Sequence, residues 1–589
     1  MIKKLYPYVR GFGGYALLSM LMVVAEVVLE VFIPRIMSDI IDVGVANLDM
    51  HYVLAAGGRM ILMAMLALAC GAASARFSAV AGTGFARNLR QGLFHKLQDY
   101  SFANIDRFST ASLITRLTVD VNNAQMAFMM CIRVLVRAPF MLVAATVMVV
   151  TTNARLSTVF LVAIPVLGTV LFLMARTAHP RFEAMLNKYD QMNGSVQEKL
   201  TGIRLIKSFV REDHERASFA DAANRVREAQ IRAERIVISN MPVMMLTTYA
   251  CIVAVLWFGG RQIVAGTMLP GDLISFITYI GQILMSLMML SMIFIMLVIT
   301  RASLRRICEC LDEVPDIRDR EPAPGEEAPR PENGEIEFRH VDFSYSKDPE
   351  NLNLHDINLK IESGMTVGIL GGTGSAKTTL VQLIPRLYDV TAGQVLVAGR
   401  DVRDYRVADL RDAVAMVLQN NLLFSGTIEE NLRWGKADAT PEEIEAAARA
   451  ACAHDFITSF PKGYQTELGQ AGVNVSGGQK QRLTIARALL KQPRIIILDD
   501  STSAVDTATD AAIRKAFREQ LKDTTALIIA QRISSVMDAD LIVVLDEGQI
   551  AATGDHASLL ENCSIYQEVY YSQMEQGGTA QTEGGAAHA

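Results

Sequence analysis

Residues 371–379 read Gly371-Gly372-Thr373-Gly374-Ser375-Ala376-Lys377-Thr378-Thr379, after an apolar run at 366–370 and before the apolar stretch LVQLIPRLY. Glycines let backbone N–H groups turn inward on phosphates, and the N-terminus of the helix expected next adds positive potential. Lys377 supplies a charge, and the Thr378 hydroxyl is a ligand for Mg2+. The phosphate-loop pattern carries Gly before its lysine, where this chain has Ala376. A second apolar run, 495–498, ends in Asp499, a carboxylate suited to the Mg2+ shell. Any buried strand can end in Asp, so the pairing with the earlier loop is what makes the signal specific. Between them, Val475-Ser476-Gly477-Gly478-Gln479 opens the helical stretch KQRLTIARALL, a second anion-facing helix start in a domain that already has one. The economical reading is that this second site addresses the nucleotide of another subunit.

These motifs need a strand-and-helix domain to carry them, and that domain is only half of the chain. The 589 residues are 51 % hydrophobic and 20 % charged, with mean hydropathy +0.25 and formal charge −6. That excludes a disordered or collagen-like chain. Seven Cys, with only Cys308 and Cys310 close together, form neither a disulfide framework nor a zinc pattern and read as reduced structural thiols. The charge divides: residues 1–310 hold 30 Lys and Arg against 19 Asp and Glu, and the rest hold 26 against 43. Of 29 Met, 25 precede residue 300. A basic membrane half followed by an acidic soluble half explains both, and the acidic half argues against nucleic-acid binding.

Six stretches are long and apolar enough to span a bilayer, at 13–36, 57–80, 134–152, 156–176, 240–260 and 273–299. No cleavage pattern follows the first, so it is expected to stay. Lys3, Lys4 and Arg10 precede it and Asp39, Asp42 and Asp49 follow, which predicts a cytoplasmic N-terminus and, after six spans, a cytoplasmic C-terminal half. The long segments between spans two and three, and four and five, have helical periodicity and polar breaks at 108–110 and 202–204; they read as helices extended into the cytoplasm, or as ordinary amphipathic loops. Glu26 and Glu30 share a helix face within span one, either lining a cavity that attracts a cationic substrate or pairing with Arg59, Arg133 or Arg137. Met285, Met288, Met289, Met292 and Met296 form a stripe in span six, suited to adaptable apolar binding or to packing and lipid contact. Pro-rich acidic residues 313–335 mark a linker, giving a transmembrane domain at 1–312, a nucleotide domain at 336–575 and a tail at 576–589 expected to lack structure.

The order of phosphate loop, Gln419 loop (VLQNNLLFSGTIEENL), SGGQ at 476–479, LDD, SAVD and switch loop resembles that of ABC transporters across the whole soluble half. The first half resembles the ABC exporter transmembrane domain, with STASLITRLTVDV (109–121) and GIRLIKSFVRE (202–212) similar to its coupling segments. The resemblance implies a six-helix exporter domain with long cytoplasmic coupling helices, then an α/β P-loop ATPase domain binding ATP and Mg2+. It also implies that Tyr345 stacks on adenine, that Gln419 links γ-phosphate and metal to the coupling helices, and that Asp506 belongs to a dimer-facing loop.

Two departures fall on hydrolysis. The family's general base, a Glu after the metal-binding Asp, is Asp500 here, and the switch-loop His is Gln531. A shorter carboxylate withdraws from the attacking water, and an amide cannot carry the imidazolium charge. The signature is nearly intact, with Val475 in place of Leu. The pattern resembles the degenerate subunit of a heterodimeric exporter of amphipathic drugs, lipids or similar compounds in the cell membrane, binding ATP at Lys377, Asp499 and Asp500 while Ser476, Gly478 and Gln479 complete a partner's site. Alternatives are a homodimer with two slow sites, a peptide or siderophore exporter, and a regulatory protein gated by ATP.

Overall fold

In hydrocarbon a backbone N–H or C=O finds no water, so a long apolar run satisfies its polar groups as a helix. The computed structural model describes residues 2–319, 328–500, 507–520 and 523–583. Among them six helices are long and apolar enough to cross a membrane: Gly13–Val45, Met50–Gln98, Thr110–Thr152, Thr158–Thr201, Glu212–Val264 and Pro270–Ile293. Several far exceed the roughly 20 residues a bilayer needs, so their polar ends extend beyond it.

The chain divides into two units, Met1–Asp99 with Ser109–Glu313, and Tyr100–Phe108 with Val314–Ala589. In the first, α1 (Gly13–Asp39) and α2 (Met50–Gln98) are stitched by buried Ser19 and Ser74, each hydroxyl donating to the other's carbonyl at 3.1 Å. Tyr279 and Ser275 donate to the carbonyls of Val31 and Pro34, both at 2.8 Å. Arg137 lies between Glu26 and Glu30 and pairs with both, so of the two readings of that carboxylate pair the ion pair is present. Met288 packs against the apolar cluster around Phe276 and Tyr279, while Met285 and Met292 point outward. The Met stripe thus divides between packing and an exposed face. All seven cysteines are free thiols.

Both polar breaks interrupt helices. Ser109, at φ +55, separates α3 (Phe102–Phe108) from Thr110–Thr115 and caps the latter through its side chain. Gly202 separates Thr158–Thr201 from Ile203–Ser208. The segment Tyr100–Phe108 groups with the second unit, where Asn104 accepts from the Asp316 N–H at 3.3 Å and donates to the Val314 carbonyl at 3.3 Å.

The strands of the second unit are β1 (Ile336–Phe343), β2 (Leu354–Ile361), β3 (Thr366–Gly371), β4 (Ala392–Val397), β5 (Arg400–Asp401), β6 (Val414–Val417), β7 (Gly426–Thr427), β8 (Glu467–Leu468), β9 (Ile495–Asp499), β10 (Thr525–Ile529), β11 (Leu541–Asp546) and β12 (Gln549–Gly554). An antiparallel sheet runs β2-β1-β4-β5, and a larger one runs β12-β11-β3-β10-β9-β6. From β11 to β6 that sheet is parallel, and β12 closes one edge antiparallel. Every residue of β9 and β10 is buried, as expected for strands covered on both faces, and both read as apolar runs apart from Asp499 at the end of β9 and Thr525 at the start of β10. The last helix, Ser564–Glu583, passes residue 576, beyond which composition predicts no structure. Its first turns are anchored by fully buried Tyr566, and extending a nucleated helix costs far less than starting one. Part of the predicted linker, 320–327, lies outside the described residues.

Candidate nucleotide site

Parallel pairing aligns strand ends. Ile529 of β10 lies opposite Ile369 of β3 and Asp499 of β9, and Val417 of β6 lies opposite Leu498. The 371–379 loop, Asp499 with Asp500, Gln531 and Gln419 therefore emerge at the C-terminal edge of four adjacent strands, where ligands of open α/β sheets bind.

The loop leads from β3 into α4 (Lys377–Gln382). At Gly371 a Cβ would lie 2.2 Å from the Leu545 carbonyl oxygen, so only Gly fits, whereas Gly372 and Gly374 face open space. That space is what an approaching phosphate requires. Ser375 donates to the Gly372 carbonyl at 2.9 Å and narrows the turn. Ala376 sits in the left-handed region at φ +67, ψ 25. For an L side chain this costs roughly 1–2 kcal/mol, which is why the pattern has Gly there.

Lys377 donates from Nζ to the carbonyls of Gly371 and Gly372 at 2.9 and 2.7 Å. Burial holds its ammonium below the usual value, opposed by Asp499 and Asp500. The Thr378 hydroxyl reaches both Asp499 carboxylate oxygens, at 3.0 and 2.9 Å. Asp499 is 2 % exposed, and burial pushes its carboxyl up; Asp500 adds to this while Thr378 and Lys377 oppose it. A hydroxyl and a carboxylate are hard oxygen donors that fit Mg2+. Among the described residues no group of three or more His, Cys, Asp or Glu side chains is placed to hold a metal ion by itself.

Asp500 follows at φ +46, its N–H donating to the Ile529 carbonyl at 3.0 Å. Gln531 Nε2 donates to Asp500 Oδ2 at 3.3 Å. Burial raises the Asp500 carboxyl, against a hydrogen bond from Gln419 and the charges of Lys377 and Arg532. The two replaced residues are thus in contact with each other, and Gln419 joins them.

Tyr345 is 46 % exposed, its hydroxyl within 3.0 Å of Thr379 Oγ1 and its ring edge-on to Phe343 and Tyr388. Tyr388 in turn donates to Asp106 Oδ2 at 2.7 Å and lies 6.1 Å from the ring of Phe102, both on α3. Burial, with the Asp106 carboxylate, keeps the Tyr388 hydroxyl protonated well above its usual range. Motif reading missed Tyr388 and Asp106, because their link joins residues 282 positions apart and no local pattern carries it.

Ser476 caps α5 (Gly477–Leu490). It accepts from the Gln479 N–H at 3.3 Å, and the Gln479 side chain accepts from the Ser476 N–H at 2.9 Å. Val475 is buried against the same core as the helix. Among the described residues no hydrogen bond links Ser476, Gly477, Gly478 or Gln479 to the phosphate loop. Asp506 lies outside the described residues.

The profile of the family described as ABC transporter transmembrane region matches residues 16–300, and that described as ABC transporter matches 354–503. The chain is 36 % identical over 578 residues to a protein of Bacillus subtilis (strain 168) described as the uncharacterized ABC transporter ATP-binding protein YfiB, covering 98 % of this chain and 100 % of that one. It is 32 % identical over 521 residues to an ATP-dependent lipid A-core flippase of Syntrophus aciditrophicus (strain SB), covering 88 % and 85 %. Among solved structures, a bacterial Atm1-family ABC exporter with ATP bound superposes with TM-score 0.82 at 25 % identity, over 96 % of this chain and 99 % of the other.

Proposed function

The chain belongs to the ABC transporter family, as an exporter membrane domain fused to an ABC ATPase domain, and we propose that it is the hydrolytically weak subunit of a heterodimeric exporter. Its cargo in this reading is an amphipathic compound, lipid or drug, moved outward across the cell membrane, with both termini in the cytoplasm. The flippase named above supports the lipid class by similarity.

One observation carries the asymmetry. The carboxylate at the base position is an Asp at positive φ whose Oδ2 accepts a hydrogen bond from the Gln531 amide. Backbone N–H groups of the 371–379 loop and Lys377 bind and orient the phosphates of ATP, and Tyr345 stacks on its adenine. Thr378, Gln419 and Asp499 would hold Mg2+, which would supply charge neutralisation at the phosphates. Asp500 Oδ2 is the atom that takes the proton of the attacking water, and its short side chain together with the amide contact keeps it away from that task. Misplacement on the order of 1 Å costs about 10²-fold in rate. Ser476, Gly477, Gly478 and Gln479 meet the partner's nucleotide. Closure of the paired domains on ATP drives the membrane helices between inward- and outward-facing states.

ATPase assays of the purified chain, alone and reconstituted with its partner, test the reading. Low turnover alone and a large gain on pairing are expected; equal turnover in both would overturn it.

A further inference from the structure

The last described helix, α6 (Ser564–Glu583), hydrogen-bonds the switch loop through Gln573. Gln573 Nε2 donates to the Gln531 carbonyl at 2.8 Å, and the Ile533 N–H donates to Gln573 Oε1 at 2.9 Å. One amide thus bridges two backbone groups of opposite polarity on either side of Arg532. A primary amide presents a donor and an acceptor on one planar group, and the two partners leave a single orientation for it. The loop is also held at its far end, where Arg514 donates to the Ser534 carbonyl at 2.8 Å.

The helix offering this amide is firmly seated. Tyr566 is fully buried and its hydroxyl lies 2.7 Å from His556 Nδ1, and Gln567 donates to the Leu560 carbonyl at 2.8 Å. Gln573 lies nearly two turns beyond Gln567 on the same helix. From Gln573 the contacts run through the Gln531 backbone to its side chain, and from there to Asp500 Oδ2.

The structure assigns Gln573 as a positioning residue of the ATPase site: a clamp from the C-terminal helix that fixes the Gln531 backbone and so sets where the Gln531 amide holds Asp500. This rests on the ATPase reading above. It adds a route by which anything that frays or displaces the C-terminal helix alters the site without touching nucleotide.

The test compares Gln573→Met, which keeps length and loses both hydrogen bonds, with Gln573→Glu, which keeps the acceptor and sets a carboxylate against the Gln531 carbonyl. Gln567→Met is the control, since it loosens the same helix without touching the switch loop. In the full-length protein without nucleotide, hydrogen exchange of the Ile533 amide is expected to quicken roughly tenfold in Gln573→Met and to stay near wild type in Gln567→Met. With the partner present, single-turnover hydrolysis at this chain's site is expected to change at least threefold in kcat in both Gln573 variants, with KM for ATP unchanged. Unchanged Ile533 exchange in Gln573→Met would overturn the clamp, as would faster exchange with unaltered kcat or an equal effect from Gln567→Met. A wild-type pair that hydrolyses no ATP would overturn the functional reading instead, and the exchange contrast between the variants would still decide the clamp.

Discussion

The ATPase domain contains two loop-to-helix starts that could face phosphate, and they are built on opposite terms. At the signature, Ser476 and Gln479 cap each other reciprocally, and α5 begins without positive φ at its cap. At the phosphate loop, α4 starts from Ala376 at φ +67, and the neighbouring Asp500 sits at φ +46. One start is a relaxed capping box that lacks only its ligand's charge. The other holds L side chains where Gly is easier, with half-buried Lys377 and Asp500 and buried Asp499 pressing on one another's ionisation. The contrast teaches where this chain departs from the family's pattern: the SGGQ start keeps it, and the loop and strand ends around Ala376, Asp500 and Gln531 do not.

The sharpest way to break the contrast is to put a negative charge on the relaxed start. Ser476→Glu is expected to cut ATP turnover of the reconstituted pair about 10²-fold, the scale of losing a preorganised donor to phosphate, while ATP affinity at this chain's own loop stays unchanged. Nucleotide binding to the variant chain alone, measured beside turnover of the pair, separates the two. Next in size, Lys377→Ala is expected to weaken MgATP binding to this chain by roughly 10- to 100-fold, the worth of a charge-assisted hydrogen bond; titration calorimetry reads it.

Restoring the family residues sharpens the comparison. The double change Asp500→Glu with Gln531→His is expected to alter coupled turnover by less than about fivefold, well below the loss from removing the partner's base, whose scale is set by general base catalysis. An effect of equal size at both sites would make the two sites alike and favour the homodimer. The smallest effect belongs to Ala376→Gly, which relieves left-handed strain on the order of 1 kcal/mol. For a domain of this size it is expected to raise the unfolding temperature of the nucleotide unit by about 2–4 °C, checked by scanning calorimetry. No gain would mean that the loop holds Ala376 without strain.

What was readable in the residues follows the range of the interaction. The six apolar runs, the buried β9 and β10 and the polar breaks at Ser109 and Gly202 are local patterns, and the elements stand where those patterns put them. Composition sets the tail at 576–589 apart, and α6, anchored at Tyr566, begins outside it. Motif spacing marked Lys377, Thr378 and Asp499 for one place, and parallel pairing of β3, β10 and β9 brings them there.

Other features had no local sign. Glu26 and Glu30 left two readings open until helix packing set Arg137 between them. That Gln531 leans on Asp500, that Tyr388 bridges Tyr345 to Asp106 and that Gln573 holds the switch loop are all consequences of chain segments separated in sequence meeting in the fold. Composition and periodicity determine which surfaces must be buried and which residues are chemically able to bind phosphate and metal. Directional hydrogen bonds and backbone dihedrals then decide which of those groups meet and how well each is aimed, and those are settled only when the sheet closes and the helices pack.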